Sequence, residues 1–261
     1  MKYYRPKTFN ELYSISEQDF TLFAGGTDLI PRYERGHKLP VAIVDLKKLS
    51  DFTGIKMVGD NIEIGAGTSI EEIKCSAIIK KHFNALWQAT TDFGSVQIRN
   101  RATLGGNICN ASPAGDTLPA LFAFNATVLL YNKSGERTLP LDEFILGPGK
   151  TSIKNGEILQ TVILPLKSSN SMFYKLGLRE AMAISVVNFA IVYEKNELSI
   201  AIGAVAPTII NLSGLEKLSV DQILEKVDSA ISPIDDIRAT ANYRRKALQN
   251  ILRFELSKII K

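Results

Sequence analysis

The sequence predicts an α+β protein in three parts, and three observations predict it. Residues 1–54 carry a short apolar run, a glycine turn with a helical stretch, and a second apolar run, the β, α, β order of a small α/β unit. Residues 55–166 open on a hairpin pattern, pass through a helical stretch and return to strands, a second unit that mixes α and β. From residue 167 onward strands come first and helices last, the order of a smaller α+β domain.

The elements follow from local pattern. After Pro6 a short helix is expected, with Thr8 or Asn10 as its N-cap and Leu12, Tyr13 and Ile15 as apolar positions. Phe20 to Ala24 reads as a strand that breaks at Gly25-Gly26, and Leu29 and Ile30 begin a helix. "VAIVDLKKL" (41–49) is a buried strand. Ile55–Val58 and Asn61–Gly65 alternate around the turn Gly59-Asp60, a hairpin. Residues 69–93 have helical spacing through Ile70, Ile73, Ile78, Ile79, Phe83 and Leu86, with Trp87 as a core anchor on the apolar stripe. Thr127 to Tyr131, a Ser134-Gly135 turn and a returning strand come next, and "EILQTVILPL" is a strand stopped at Pro165. The polar "KSSNS" (167–171) marks a domain boundary. Beyond it lie strands "SMFYKLGLR", "SVVNFAIVYEK" and "LSIAIGAVAPTIINL", then helices over 219–230 and 235–257.

Composition narrows the chemistry. Hydrophobic residues at 45% and charged residues at 22% are those of a globular chain, so long disorder is not expected. The net charge of +4 is spread along the chain rather than gathered into basic runs with interleaved aromatics, which argues against nucleic-acid binding. The opening "MKYYRPKTFNELYSI" lacks the apolar core of a signal peptide, and no later segment has the roughly 18 apolar residues of a membrane span, so the chain reads as cytoplasmic. Cys75 and Cys109 are the only thiols, too few for an iron–sulfur or structural zinc site, and no His falls in a metal motif. Redox work would need an organic cofactor.

Two stretches stand apart: "FAGGTDL" (23–29) and "TLGGNICNASPAGD" (103–116), each a glycine pair soon followed by polar side chains. A glycine pair is either a tight turn or a place where another group approaches the main chain. Exposed N–H groups in such turns form an anion-binding concavity, and Thr27, Thr103 and Ser112 add hydroxyl donors, so the two together suit a pyrophosphate. Neither is GxGxxG and neither carries the lysine of a P-loop, so a different nucleotide fold is required.

With "FYKLGLREAMAIS" (173–185) and "ATANYRRKAL" (239–248) in the same order, these motifs resemble the FAD-binding, medium subunit of the molybdenum hydroxylases, the xanthine dehydrogenase and carbon monoxide dehydrogenase family, over essentially the whole chain. The resemblance implies a vanillyl-alcohol-oxidase (PCMH)-type fold, with FAD between two α/β subdomains and a smaller C-terminal α+β domain. It implies that Leu22, Phe23, Ala24, Gly25, Gly26, Thr27, Asp28 and Leu29 cradle the FAD pyrophosphate and that Thr103, Gly106 and Asn107 close on it from the second loop, with the Ser112 hydroxyl read above as a further donor. By the same resemblance Asp116 binds the adenosine side, Phe93 lies near the flavin, and Leu159 and Lys175 add contacts, the lysine at the pyrimidine edge where it can stabilise negative charge. No His stands in the first loop, so the FAD is expected to be non-covalent.

The resemblance further implies an electron outlet rather than a complete enzyme: a large molybdopterin subunit oxidises substrate, a small subunit carries two [2Fe-2S] clusters, and this chain passes electrons to NAD+ or another acceptor, within a dimer of heterotrimers. No catalytic acid, base or nucleophile is expected here. Two other readings stand beside it, a self-contained flavin oxidoreductase of the UDP-N-acetylenolpyruvylglucosamine reductase type and a scaffold subunit without FAD. Several residues also have plain structural readings. Asp28 either caps the following helix or contacts the cofactor; Lys175 is otherwise a solvated strand residue; Cys109 is a small buried residue; and Lys81, Arg99 and Arg101 are surface charge, the two arginines being placed to dock a partner.

Overall fold

The computed structural model describes residues 1–15, 20–167, 170–194 and 197–260. The first part is β1 (Lys2–Tyr4), α1 (Phe9–Tyr13), β2 (Phe20–Phe23), α2 (Leu29–Glu34) and β3 (Ala42–Asp45). Its three strands form a parallel sheet in the order β1-β3-β2. Thr8 caps α1: its hydroxyl accepts the Glu11 N–H at 3.2 Å while the Glu11 carboxylate takes the Lys7 N–H at 2.7 Å, so Asn10 is inside the helix. The strand expected over 41–49 stops at Asp45, because its carboxylate accepts the Lys47 N–H and turns Leu46–Lys48 into a single 3-10 turn.

The middle part contains β4 (Ile55–Val58), β5 (Asn61–Gly65), α3 (Ile70–Cys75), α4 (Ala77–His82), α5 (Asn84–Thr91), α6 (Val96–Arg99), α7 (Leu104–Asn110), α8 (Thr117–Ala123), β6 (Thr127–Asn132), β7 (Gly135–Pro140), α9 (Leu141–Phe144), β8 (Ile145–Gly147), β9 (Lys150–Thr151) and β10 (Ile158–Pro165). Five of the strands make an antiparallel sheet in the order β4-β5-β10-β6-β7, with the hairpin of residues 55–65 in the expected register. The helical stretch expected over 69–93 is three helices, not one. Ser76 leaves helical geometry and caps α4 through its hydroxyl, and Phe83 breaks the next junction at φ −132° and ψ 57°. Trp87 packs on the core as expected, its indole N–H donating to the Lys74 carbonyl at 3.0 Å.

The last part is β11 (Asn170–Gly177), β12 (Ser185–Glu194), β13 (Glu197–Gly203), β14 (Ile210–Leu212), α10 (Val220–Ala230) and α11 (Ala241–Ile259), its strands antiparallel in sequence order. The long strand expected from Leu198 to Leu212 is two, separated at Ala204, which takes a left-handed φ of 63°. α11 begins later than the expected 235, because the carboxylates of Asp235 and Asp236 collect the N–H groups of Arg238, Ala239 and Ala241 in a turn ahead of it. Lys195 of the expected strand "SVVNFAIVYEK" and two serines of the expected boundary at 167–171 lie outside the described residues.

Alternation along this sheet decides how the parts meet. Val187, Phe189 and Ile191 of β12 and Leu198, Ile200 and Ile202 of β13 face one core with Leu224, Val227, Leu248 and Leu252 of the two last helices. The residues between them, Ala190 and Ala201, face the opposite way and join the core of the middle part, where their small size lets the sheet lie close. Arg244 of α11 is buried against the sheet, donating to the carbonyls of Val186 and Ala204 at 2.6 and 3.2 Å and to Asp236 at 2.7 Å.

Candidate functional site

A cavity of about 460 Å³ opens between the first part and the middle part, within the range typical of small-molecule sites. β2 delivers the chain to its edge at Phe23, the backbone turns at Gly26 with φ +75°, and α2 starts at Leu29. Among the described residues no backbone or side-chain acceptor engages the N–H groups of Gly25, Gly26, Thr27 or Asp28. Four successive free donors on a cavity wall form an anion-binding nest. Glycine is required at the first position: a Cβ on Gly25 would lie 2.1 Å from the Arg101 carbonyl oxygen, because the first loop packs directly on the backbone ahead of the second.

The second glycine pair is not a turn. It forms the first turn of α7, where the Thr103 hydroxyl caps by accepting the Gly106 N–H at 3.1 Å. The N–H groups of Leu104, Gly105 and Asn107 are already spent on the carbonyls of Thr68, Ala66 and Thr103. The nest is therefore a property of the first loop alone. The second contributes a lack of bulk at Gly106, the Thr103 hydroxyl proton, and the Asn107 amide, whose oxygen accepts from Thr117 at 2.6 Å and so leaves its NH2 to donate. Gly105 serves packing, since a Cβ there would meet the Ala66 Cβ at 2.6 Å.

Of the residues expected at the site, the structure brings Leu22, Ala24, Gly25, Gly26, Thr27, Asp28, Leu29, Phe93, Thr103, Gly106, Asn107 and Leu159 around this one cavity. Leu159 arrives through a β-bulge in β10, the register against β6 shifting between Leu159 and Thr161. Phe23 lies beneath the loop, its ring where a Cβ on Gly26 would fall at 2.5 Å. Ser112 spends its oxygen on the Ala114 N–H in a local turn and lies outside the cavity lining. Asp28 makes no cap, because its backbone at φ −107° and ψ −39° is not extended as a cap requires; it pairs instead with Arg32 at 2.6 Å.

Asp116 and Lys175 form a separate centre. Their side chains meet at 2.6 Å and are 11% and 8% exposed. Ser185 and Asn188 donate to the other Asp116 oxygen at 2.7 and 3.3 Å, and Lys175 also donates to the Asp92 carbonyl at 3.0 Å. Burial pushes the Asp116 carboxyl up, opposed by Lys175, Ser185 and Asn188. Two groups in direct contact cannot serve opposite ends of an extended dinucleotide, so Asp116 on the adenosine side and Lys175 at the flavin edge are incompatible assignments. Lys175 is not a solvated strand residue either: it is an ion-paired group on the wall of a second hollow of about 310 Å³, beside Asp92 and Arg179.

Three further expectations change. Arg99 is buried rather than on the surface: it pairs with Glu71 at 2.6 Å and donates to the carbonyls of Phe93 and Gly94, holding the turn that presents Phe93 to the cavity. Lys81 and Arg101 are exposed as expected. Cys109 is not a core residue; it opens onto the cavity yet is hemmed in by protein, which pushes its thiol up to about 12. Sequence reasoning missed Arg32, among the described residues the one cationic side chain in the lining, which extends from α2 to donate to the Asn110 amide oxygen at 2.7 Å.

The arrangement fits a dinucleotide. Free N–H donors, the Thr103 hydroxyl and the Asn107 amide suit a diphosphate, and Leu22, Phe93, Ile98 and Leu159 give apolar wall for rings. Among the described residues no cluster of His, Cys, Asp and Glu could hold a metal ion, and no helix is long and apolar enough to cross a membrane.

Residues 1–167 match the family described as the FAD binding domain in molybdopterin dehydrogenase, and residues 172–257 match the CO dehydrogenase flavoprotein C-terminal domain. The nicotinate dehydrogenase FAD-subunit of Eubacterium barkeri is 35% identical over 195 residues, 71% of this chain and 66% of that protein. A putative xanthine dehydrogenase FAD-binding subunit of Escherichia coli (strain K12) is 29% identical over 257 residues, 92% of this chain and 88% of that one. A solved chain of the carbon monoxide dehydrogenase from Hydrogenophaga pseudoflava superposes with a TM-score of 0.91 at 25% identity, covering 98% of this chain and 96% of that chain. These two matches, the first over residues 1–167 and the second over 172–257, make this chain a member of the family of FAD-binding subunits of the molybdopterin dehydrogenases.

Proposed function

We propose that the chain is the electron outlet of a molybdenum hydroxylase complex. In this reading it holds FAD non-covalently, takes electrons from [2Fe-2S] clusters on a small partner subunit, and passes them to NAD+ or another acceptor, while a large molybdopterin subunit oxidises the substrate. The complex is a cytoplasmic dimer of heterotrimers, and the chain divides into FAD subdomains 1–54 and 55–166 and a C-terminal domain from 167.

The observation that carries the reading is the character of the cavity wall. Its charged side chains, Asp28 and Arg32, are paired with each other, and the rest is backbone donors, small polar groups and apolar surface. Such a wall suits the binding and orienting of a cofactor. When bound, FAD supplies the exchange of electrons singly and in pairs. The chain's residues hold it: Gly25 to Asp28 and Asn107 at the diphosphate, Phe93 and Leu159 along the rings, with Arg99 fixing Phe93 through its carbonyl. The absence of a histidine from the first loop supports dissociable rather than covalent attachment.

Purification of the chain with its partners from the native host tests this. Flavin bands together with iron–sulfur absorption and molybdenum in one complex are the expected result. Flavin on a lone chain would favour a self-contained oxidoreductase, and a colourless complex would favour a scaffold.

A further inference from the structure

Lys47 does not line the cavity, yet it grips the loop that does. It stands two residues beyond Asp45, the last residue of β3 and the register partner of Phe23 at the end of β2. The Asp45 carboxylate is 1% exposed and is held from several sides: one oxygen accepts both the Lys47 N–H at 3.0 Å and the Lys47 ammonium at 2.8 Å, the other accepts the Tyr3 hydroxyl and lies 3.4 Å from Arg5. From this anchor the Lys47 Nζ donates to the Ala24 carbonyl at 3.2 Å and sits 4.1 Å above the Phe23 ring.

The Ala24–Gly25 peptide is trans, so its C=O and N–H point in opposite directions. A group that fixes the Ala24 oxygen therefore fixes the Gly25 N–H on the other side, and that N–H is the first of the four free donors of the nest. Arg101 holds the same loop from a second direction, its carbonyl oxygen filling the place of a Gly25 side chain.

We propose that Lys47, anchored by Asp45, is a positioning residue that presets the peptide plane of the diphosphate-binding loop. The proposal rests on the FAD reading above. It acts through geometry rather than charge, because Lys47 reaches the ligand only through the Ala24 carbonyl, and a preset donor spares the ligand the cost of ordering the loop.

The test is FAD titration of the full-length apo chain by flavin fluorescence quenching, at low and high salt, for wild type, Lys47→Met, Lys47→Arg and Lys56→Met. The last removes an exposed lysine paired with Glu63 and controls for net charge. Lys47→Met is expected to weaken FAD about tenfold, equally at both salt concentrations, with Arg restoring most of the loss and Lys56→Met unchanged. Hydrogen exchange of the apo chain adds a readout free of ligand: residues 24–29 exchange faster in Lys47→Met while α11 is unchanged. Wild-type affinity in Lys47→Met, a loss that disappears at high salt, or a loss matched by Lys56→Met would overturn the proposal. A wild-type chain that takes up no FAD would overturn the FAD reading itself and this proposal with it.

Discussion

Lys175→Met is expected to cost about 3–5 kcal/mol of stability, the scale of a buried ion pair broken from one side. The variant leaves Asp116 buried with only Ser185 and Asn188 as donors, at the contact between the middle part and the C-terminal sheet. Urea unfolding followed by the single tryptophan, Trp87, measures the loss. Its pH dependence identifies the cause. Burial already pushes the Asp116 carboxyl up, and removing the lysine pushes it further above the unfolded value of about 3.9. A raised folded pKa means the native state binds the extra proton, so the deficit is largest above that pKa and shrinks as pH falls through it. Adding Asp116→Asn should recover part of the loss at neutral pH. A deficit below about 1 kcal/mol and independent of pH would show a solvent-screened pair.

Gly25→Ala is expected to lower FAD affinity about 100-fold, equivalent to about 2.7 kcal/mol, with little change in the melting temperature of the apo chain. The added Cβ would sit 2.1 Å from the Arg101 carbonyl oxygen, a backbone atom that cannot rotate away. Relief requires the first loop to retreat by about 1.4 Å, from 2.1 Å to an ordinary contact distance of about 3.5 Å. That retreat separates the nest from Thr103 and Asn107 on the far wall. Equilibrium dialysis of both proteins against FAD reads the effect, and affinity within twofold of wild type would show that the loops tolerate separation.

What was legible in the sequence was what local chemistry decides. The hairpin of residues 55–65 shows in period-two alternation around Gly59-Asp60, and the helix expected over 219–230 is α10, Val220–Ala230. Most of the first-loop lining followed from the family resemblance that the glycine-pair motifs carry. The illegible parts depend on distant partners. β1 is three residues long and exists because it pairs in parallel with β3. The pairing of Asp116 with Lys175 and the burial of Arg99 against Glu71 join residues far apart in the chain, which no spacing reports. The second glycine pair misled for a subtler reason: glycine reads as a turn, but Thr103 ahead of it is a helix cap, and Gly105 is small in order to pack against Ala66 rather than to bend the chain. Ser76 similarly hides a break inside a continuous apolar stripe, because its hydroxyl offers the backbone an alternative to continuing the helix.

FAD in the cavity between the two glycine-pair loops would cover Cys109, which therefore reports on its binding directly. It opens onto that cavity, whereas Cys75, the other thiol, is exposed elsewhere and outside the lining. Protection of Cys109 is read as an alkylation rate by mass spectrometry, with Cys75 as the internal reference. The expected result is one FAD per chain, released intact on denaturation, with Cys109 alkylation suppressed in step with saturation and Cys75 unaffected. Flavin bound at one per chain with Cys109 as reactive as in the apo protein would place the cofactor elsewhere and contradict it.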